Sequence, residues 1–254
     1  MEDINKLYAD GLTTRQIGNV VGKSHTWVRK HLDSNIEKKI NSQDRMLIHS
    51  AFSDRNSESA NYWAGFIASD GCISYDKGNG RIAVVSCDMD SLIKFKKYVN
   101  SSNKITKCGN CNRVEFTSQQ MCEDLHKHWN LTENKSLTLS PPNISEEMLP
   151  HYIRGVFDGD GSVSNISKAV KNKVSSPASY ADISTASKIF AEWLKSIIPN
   201  ETHFQDCKPR ALYKIRMYNY SDVMSFLKWI YDGVDINLRM DRKYAVYENL
   251  LSYE

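Results

Sequence analysis

Hydrophobic residues change their spacing several times along the chain, and each change marks an element. Leu7, Leu12, Ile17, Val20, Val21, Trp27, Val28 and Leu32 recur at the spacing of a helical face. Thr13, with Gln16 three residues on, forms a capping-box signature, Gly22 ends the apolar run, and Ser24 suits the start of a second helix. The pattern predicts helix, tight turn, helix. Residues 33–60 are polar and rich in Ser and Asn, with one short apolar patch around Met46–Ile48, and read as a linker. From Ser57 the pattern changes again. An apolar helix precedes the hairpin "CISYDKGNGRIAVVSCD", the helix "DSLIKFKKYV", the strand pair "KITKC" and "RVEFTS", and the helix "QQMCEDLHKHW". After the proline-bearing join "LSPPNISEEML" the order returns: apolar helix, a longer hairpin with a polar insertion, "SKIFAEWLKSII", the strands "THFQD" and "LYKIRMYN", and "SDVMSFLKWIY". The fold class expected is α+β: helix, two strands, helix, two strands, helix, twice over. The expected divisions are a helical module at 1–34, a linker at 35–56, a first half at 57–142 and a second half at 143–254.

The helices that open the two halves nearly repeat each other. "YWAGFIASDG" begins at Tyr62 and "YIRGVFDGDG" at Tyr152, sharing Gly65/Gly155, Asp70/Asp160 and Gly71/Gly161. Such an echo indicates internal duplication. A glycine inside a helix costs about 1 kcal/mol against alanine. Close helix–helix approach through Gly65 and Gly155 would justify it and would bring the two C-terminal ends together. Gly71 and Gly161 are then expected to be left-handed C-caps. Each cap follows an aspartate, whose charge opposes the macrodipole, and two such carboxylates repel each other. A divalent cation between Asp70 and Asp160 would remove the conflict and supply hydrolytic chemistry. Asp158 has Ala68 as its counterpart, so a local hydrogen-bonding role is expected for it.

Composition narrows the class. The chain has 254 residues, 41% hydrophobic and 25% charged, with a formal charge of +3. This permits a polyanionic partner without demanding one. No apolar run is long enough to span a bilayer, and "MEDINKLYADG" lacks the apolar stretch of an export signal. A soluble intracellular protein is expected, its six cysteines reduced. Cys108 and Cys111 lack the second pair that a structural zinc site would want, and they flank a Gly-Asn hairpin turn.

The segments "WAGFIASDG" and "IRGVFDGDG" resemble the LAGLIDADG motif of homing endonucleases. The likeness extends from about Ser57 to Leu251, and "ENKSLTL" followed by "PPNISEEMLPHYIRGVFDGDG" is similar to members carrying two motifs in one chain. The resemblance implies two αββαββα halves related by pseudo-two-fold symmetry, with the motif helices central and two antiparallel sheets over duplex DNA. It implies a monomeric enzyme making a double-strand break in a non-palindromic target with Mg²⁺ (or Mn²⁺). The matching catalytic positions are Asp70, Asp160, Lys135 and Lys243, the two aspartates being the metal ligands. Trp63, Ile153, Arg154 and Ala68 depart from the motif without removing a metal ligand.

Strand alternation sets the expected DNA face. Arg113 and Glu115 oppose Val114 and Phe116, and Lys214 and Arg216 oppose Ile215 and Met217. Ser74, Asp76, Arg81 and Lys168 are further candidates in the hairpins after the motifs. Such side chains can read major-groove edges and hold phosphates. The N-terminal stretch from Thr13 to Leu32 contains basic residues and no acid, and resembles the helix-turn-helix of resolvase-like modules. Lys23, Arg29 and Lys30 are its expected DNA contacts. Two alternatives on the same fold are a DNA-binding regulator without nuclease activity and an RNA maturase.

Overall fold

The computed structural model describes residues 3–9, 12–33, 46–76, 79–163, 180–199 and 201–253. The chain forms two compact units, one comprising Met1–Leu47 with Asn100–Ser102, the other Ile48–Val99 with Asn103–Glu254. No helix among the described residues is long and apolar enough to cross a membrane.

The smaller unit contains α1 (Ile4–Ala9), α2 (Thr14–Val21) and α3 (His25–His31). Its local signals act as the sequence predicts. Thr13 and Gln16 form a reciprocal capping box, Gly22 closes α2 at φ +65°, and the Ser24 side chain accepts from the Trp27 amide. Ile17 and Val28 are wholly buried. A Cβ on Gly18 would lie 2.5 Å from the Lys23 carbonyl, so glycine allows the tight turn between α2 and α3.

The larger unit opens with α4 (Glu58–Asp70), β1 (Gly71–Asp76), β2 (Asn79–Ser86), α5 (Met89–Tyr98), β3 (Thr106–Cys108), β4 (Cys111–Thr117) and α6 (Gln119–Trp129). The same order follows in α7 (Leu149–Asp160), β5 (Gly161–Val163), β6 (Ala181–Thr185), α8 (Lys188–Ile197), β7 (His203–Asp206), β8 (Tyr213–Met217) and α9 (Tyr220–Tyr231), with α10 (Asp241–Leu251) added. The architecture is α+β. Its two antiparallel four-stranded sheets have the equivalent orders β1-β2-β4-β3 and β5-β6-β8-β7.

Period-two alternation decides which sheet face is covered. Ile82, Val84, Val114 and Phe116 point inward, where Phe95 of α5 lies 5.6 Å from Phe116 and 5.1 Å from Trp63 of α4. In the second half Ile183, Ile215 and Met217 are fully buried, and Phe157 of α7 meets Phe226 of α9 at 5.2 Å. Residues 48–56 are built onto the first half. Phe52 is wholly buried and packs edge-on against Tyr98 and Trp129, while Tyr98 Oη donates to the Ala51 carbonyl.

The cysteines depart from the fully reduced state expected. Cys87, one residue beyond β2, faces Cys111 at the start of β4, and the two form a disulfide. The β2–β4 register, which pairs Ser86 with Asn112, carries the next pair into apposition. Cys108 is the other cross-strand neighbour of Cys111 and stays a free thiol, the two flanking a hairpin turn with Gly109 at φ +59°.

Candidate active site

The site forms because two helices approach until their backbones touch. A Cβ on Gly65 would lie 2.1 Å from the Tyr152 carbonyl oxygen, and one on Gly155 would lie 2.0 Å from that of Tyr62. Ser69 Oγ crosses the seam to donate to the Val156 carbonyl at 3.1 Å. Crossing at the glycines brings the ends of α4 and α7 together. A Cβ on Gly159 would lie 3.6 Å from the Asp70 carboxyl carbon.

Both helices end on their aspartate, but the glycines that follow are not left-handed. Gly71 has φ −100° and Gly161 φ −85°, both extended, so the chain passes directly from helix into strand. Glycine is required there for another reason. An added Cβ would lie 2.6 Å from the Ile67 carbonyl at position 71, and 2.5 Å from the Phe157 carbonyl at position 161. The helix end is closed by close approach, not by a backbone conformation that only glycine tolerates.

Asp70 is half-buried, and Asp160 keeps solvent access as a residue while its carboxyl group is largely enclosed by protein. Burial first, and then the facing Asp160, push the Asp70 carboxyl up to about 6. Burial also raises Asp160, against the pull of Lys135 and then Lys243. Neither aspartate forms a salt bridge among the described residues, so the nearby ammonium groups offset the repulsion between them only in part. The Ser86 hydroxyl lies near Asp70, where it lowers the carboxyl against the effect of burial. The sequence did not single out this residue, which comes from the far end of β2.

The two lysines lie behind the carboxylates. Lys135 follows Asn134, which has φ +54°, and starts a 3₁₀ turn through Leu137. Its Nζ donates to the Gly71 carbonyl at 2.6 Å. Lys243 lies in the first turn of α10, and its Nζ donates to the carbonyls of Phe157, Asp158 (2.9 Å) and Gly161 (2.6 Å). Burial lowers both ammonium groups, Lys243 to about 8, while nearby carboxylates resist the change.

Asp158 makes the local bonds expected of it. Its carboxylate, wholly buried, accepts from Tyr62 Oη at 2.9 Å, from Tyr231 Oη and from the Met240 amide at 2.8 Å. Arg154 is also buried, donating to the carbonyls of Leu238 (2.7 Å) and Ile230 (2.8 Å) beneath the Tyr62 ring. These partners come from α4, α9 and the approach to α10, so no local pattern could announce them.

The site chemistry fits a hard divalent cation. Two unpaired carboxylates face each other, and no group of three or more His, Cys, Asp or Glu suited to a metal exists among the described residues. Magnesium commonly takes one or two carboxylates and keeps waters or phosphate oxygens for the rest of its octahedron.

The outward sheet faces carry the predicted polar residues, and each face is organised around an acid. Glu115 takes Arg81 at 3.2 Å and also pairs with Arg113. Asp182, which the sequence reading missed, takes Lys214 at 3.1 Å and Arg216 at 3.7 Å and is almost fully buried by its neighbours. Its alternation within "ADIST" was the available signal. Ser74 lies opposite Arg81 in the β1–β2 register. Lys168 lies outside the described residues, as does the side chain of Asp76. In the smaller unit Lys23, Arg29 and Lys30 are exposed. Lys23 lies 5.8 Å from the Trp27 ring, which stacks on His31 at 3.9 Å.

No protein-family model and no curated protein matches the chain. Solved structures do. The meganuclease I-SmaMI bound to an uncleavable DNA superposes with a TM-score of 0.54 at 15% identity, covering 77% of this chain and 90% of that one. The LAGLIDADG meganuclease I-AabMI bound to uncleaved DNA gives 0.51 at 13%, covering 77% and 89%. The I-SmaMI LAGLIDADG homing endonuclease bound to cleaved DNA gives 0.50 at 16%, covering 76% and 87%. The larger unit therefore has the LAGLIDADG homing-endonuclease fold.

Proposed function

We propose that the chain is a site-specific endonuclease of the LAGLIDADG type, acting as a monomer on a non-palindromic duplex and requiring Mg²⁺ or Mn²⁺. One observation carries this reading: glycine-mediated crossing of α4 and α7 places two unpaired carboxylates, Asp70 and Asp160, side by side with Lys135 and Lys243 behind them. A structural role alone gives no reason to keep two like charges together at two helix C-termini.

Asp70 and Asp160 would hold the metal, which when bound polarises a phosphodiester and lowers the pKa of a nucleophilic water. The chain supplies the remaining requirements. Ser86 favours the ionised form of Asp70, the form that would hold the metal. Lys135 and Lys243 bring positive charge to the place where phosphate charge grows. Arg81, Arg113, Lys214 and Arg216, pinned by Glu115 and Asp182, present donors of fixed direction to base edges and phosphates. Two non-identical sheets in one chain suit a target whose half-sites differ. The likeness of fold to meganucleases solved with bound DNA supports duplex DNA as the substrate.

The test is incubation with a randomised duplex library, with and without Mg²⁺, followed by sequencing of cut ends. Cutting at one defined site that needs Mg²⁺ and is lost in Asp70→Asn and in Asp160→Asn supports the proposal. Sequence-specific binding without cutting under any divalent ion would leave a DNA-binding regulator instead.

A further inference from the structure

The duplication suggests two equivalent lysines, but their hydrogen bonding differs. An ammonium group has three N–H donors. Those of Lys243 have three carbonyl partners, Phe157, Asp158 and Gly161, all at the last turn of α7 and its exit into β5. Lys135 has one carbonyl partner, Gly71, at the matching exit of α4. The supports differ in the same sense. Lys243 stands on an eleven-residue helix whose preceding residue, Met240, is tied by its amide to the Asp158 carboxylate at 2.8 Å. Tyr62 and Tyr231 hold that carboxylate in turn. In the first half Ala68 replaces Asp158, and Lys135 stands on a single 3₁₀ turn.

We propose that the two half-sites divide the work. Lys135 donates directly to the scissile phosphate or its attacking water. Lys243 is a positioning residue that caps the end of α7 and so fixes Asp160. Both lysines are buried, but donating to a substrate would require Lys243 to abandon a helix-end carbonyl, whereas Lys135 has two donors to spare. The strand served by Lys135 is therefore cut first. This inference rests on the nuclease reading above and refines its two lysines.

The test uses full-length protein and the target recovered from the library, with each strand separately labelled, under single-turnover conditions in saturating Mg²⁺. Lys135→Met should slow one strand by about 100-fold, the scale of losing one donor aimed at developing charge, and should reverse the order of cutting. It should leave the thermal shift produced by Ca²⁺ unchanged. Lys243→Met should slow both strands by similar factors and weaken that shift, because Asp160 is displaced. If each variant slows only its own strand by the same factor, the inference is wrong. A second measurement needs no Lys243 variant. With ¹⁵N-lysine, the ammonium protons of Lys243 should exchange slowly with water and those of Lys135 rapidly, the Lys135→Met spectrum supplying the assignment. Comparable exchange at both sites would also overturn the inference. Failure of the wild-type protein to cut any duplex would strike the nuclease reading, whereas cutting with equivalent lysines would strike this inference alone.

Discussion

Asp70→Asn should abolish Mg²⁺-dependent cutting and make the metal-free protein more stable. In the folded chain the Asp70 carboxyl lies at about 6 instead of its ordinary 3.8, through burial first and then the facing Asp160. A carboxyl raised on folding binds its proton more tightly in the native state. Its contribution to stability is thus greatest below pH 4 and is lost as pH rises through about 6. At about 1.36 kcal/mol per pH unit, the gap amounts to about 3 kcal/mol, and partial solvent access trims this to about 2 kcal/mol. Asparagine keeps the shape, yet carries no charge. At pH 7.5 the variant should melt about 4–8 °C above wild type, the conversion appropriate to a domain of this size. The curves should converge near pH 4. Added Ca²⁺ should raise the melting temperature of wild type and leave the variant nearly unmoved. The assay is thermal unfolding followed by circular dichroism across pH 4–8, with and without Ca²⁺. Equal melting temperatures at pH 7.5, or a variant less stable throughout, would refute the claim that a carboxylate destabilised by burial and by its neighbour is held at the seam.

Other expectations follow from the same geometry. Gly65→Ala and Gly155→Ala should each destabilise the larger unit by about 3 kcal/mol or prevent folding, since overpacking against backbone cannot be relieved by side-chain rotation; urea denaturation measures this, and a loss under 1 kcal/mol would contradict the seam. Lys214→Ala should weaken binding and reduce the slope of log affinity against log salt by about one unit if it holds a phosphate; an unchanged slope in a salt titration would assign it to base reading or to no contact. Deleting residues 1–47 should lower affinity and its salt sensitivity while leaving the cut phosphates unchanged. A shifted cleavage map would instead give the helical module a part in setting register.

The order of elements, the duplication and the meeting of the two helix-end aspartates were legible in the sequence because each is written locally. Alternation places Val114 and Phe116 inward and Arg113 and Glu115 outward without reference to any distant residue. Thr13, Gly22 and Ser24 act within one helical turn, so their capping roles could be read directly. Gly71 and Gly161 show where local reading fails. Glycine was rightly expected to be necessary, but the cause is contact with the preceding turn, which depends on how the strand leaves the helix. The Cys87–Cys111 pairing depends on the β2–β4 register, and the clustering of Ser86 with Asp70 likewise needs a strand folded back onto the motif helix. The unequal lysines are the clearest case. Lys135 and Lys243 occupy matching places in a duplicated sequence, yet hydrogen-bond geometry is fixed by what surrounds an ammonium group in space. Residues more than eighty positions away supply the partners of Lys243, and only tertiary packing could bring them there.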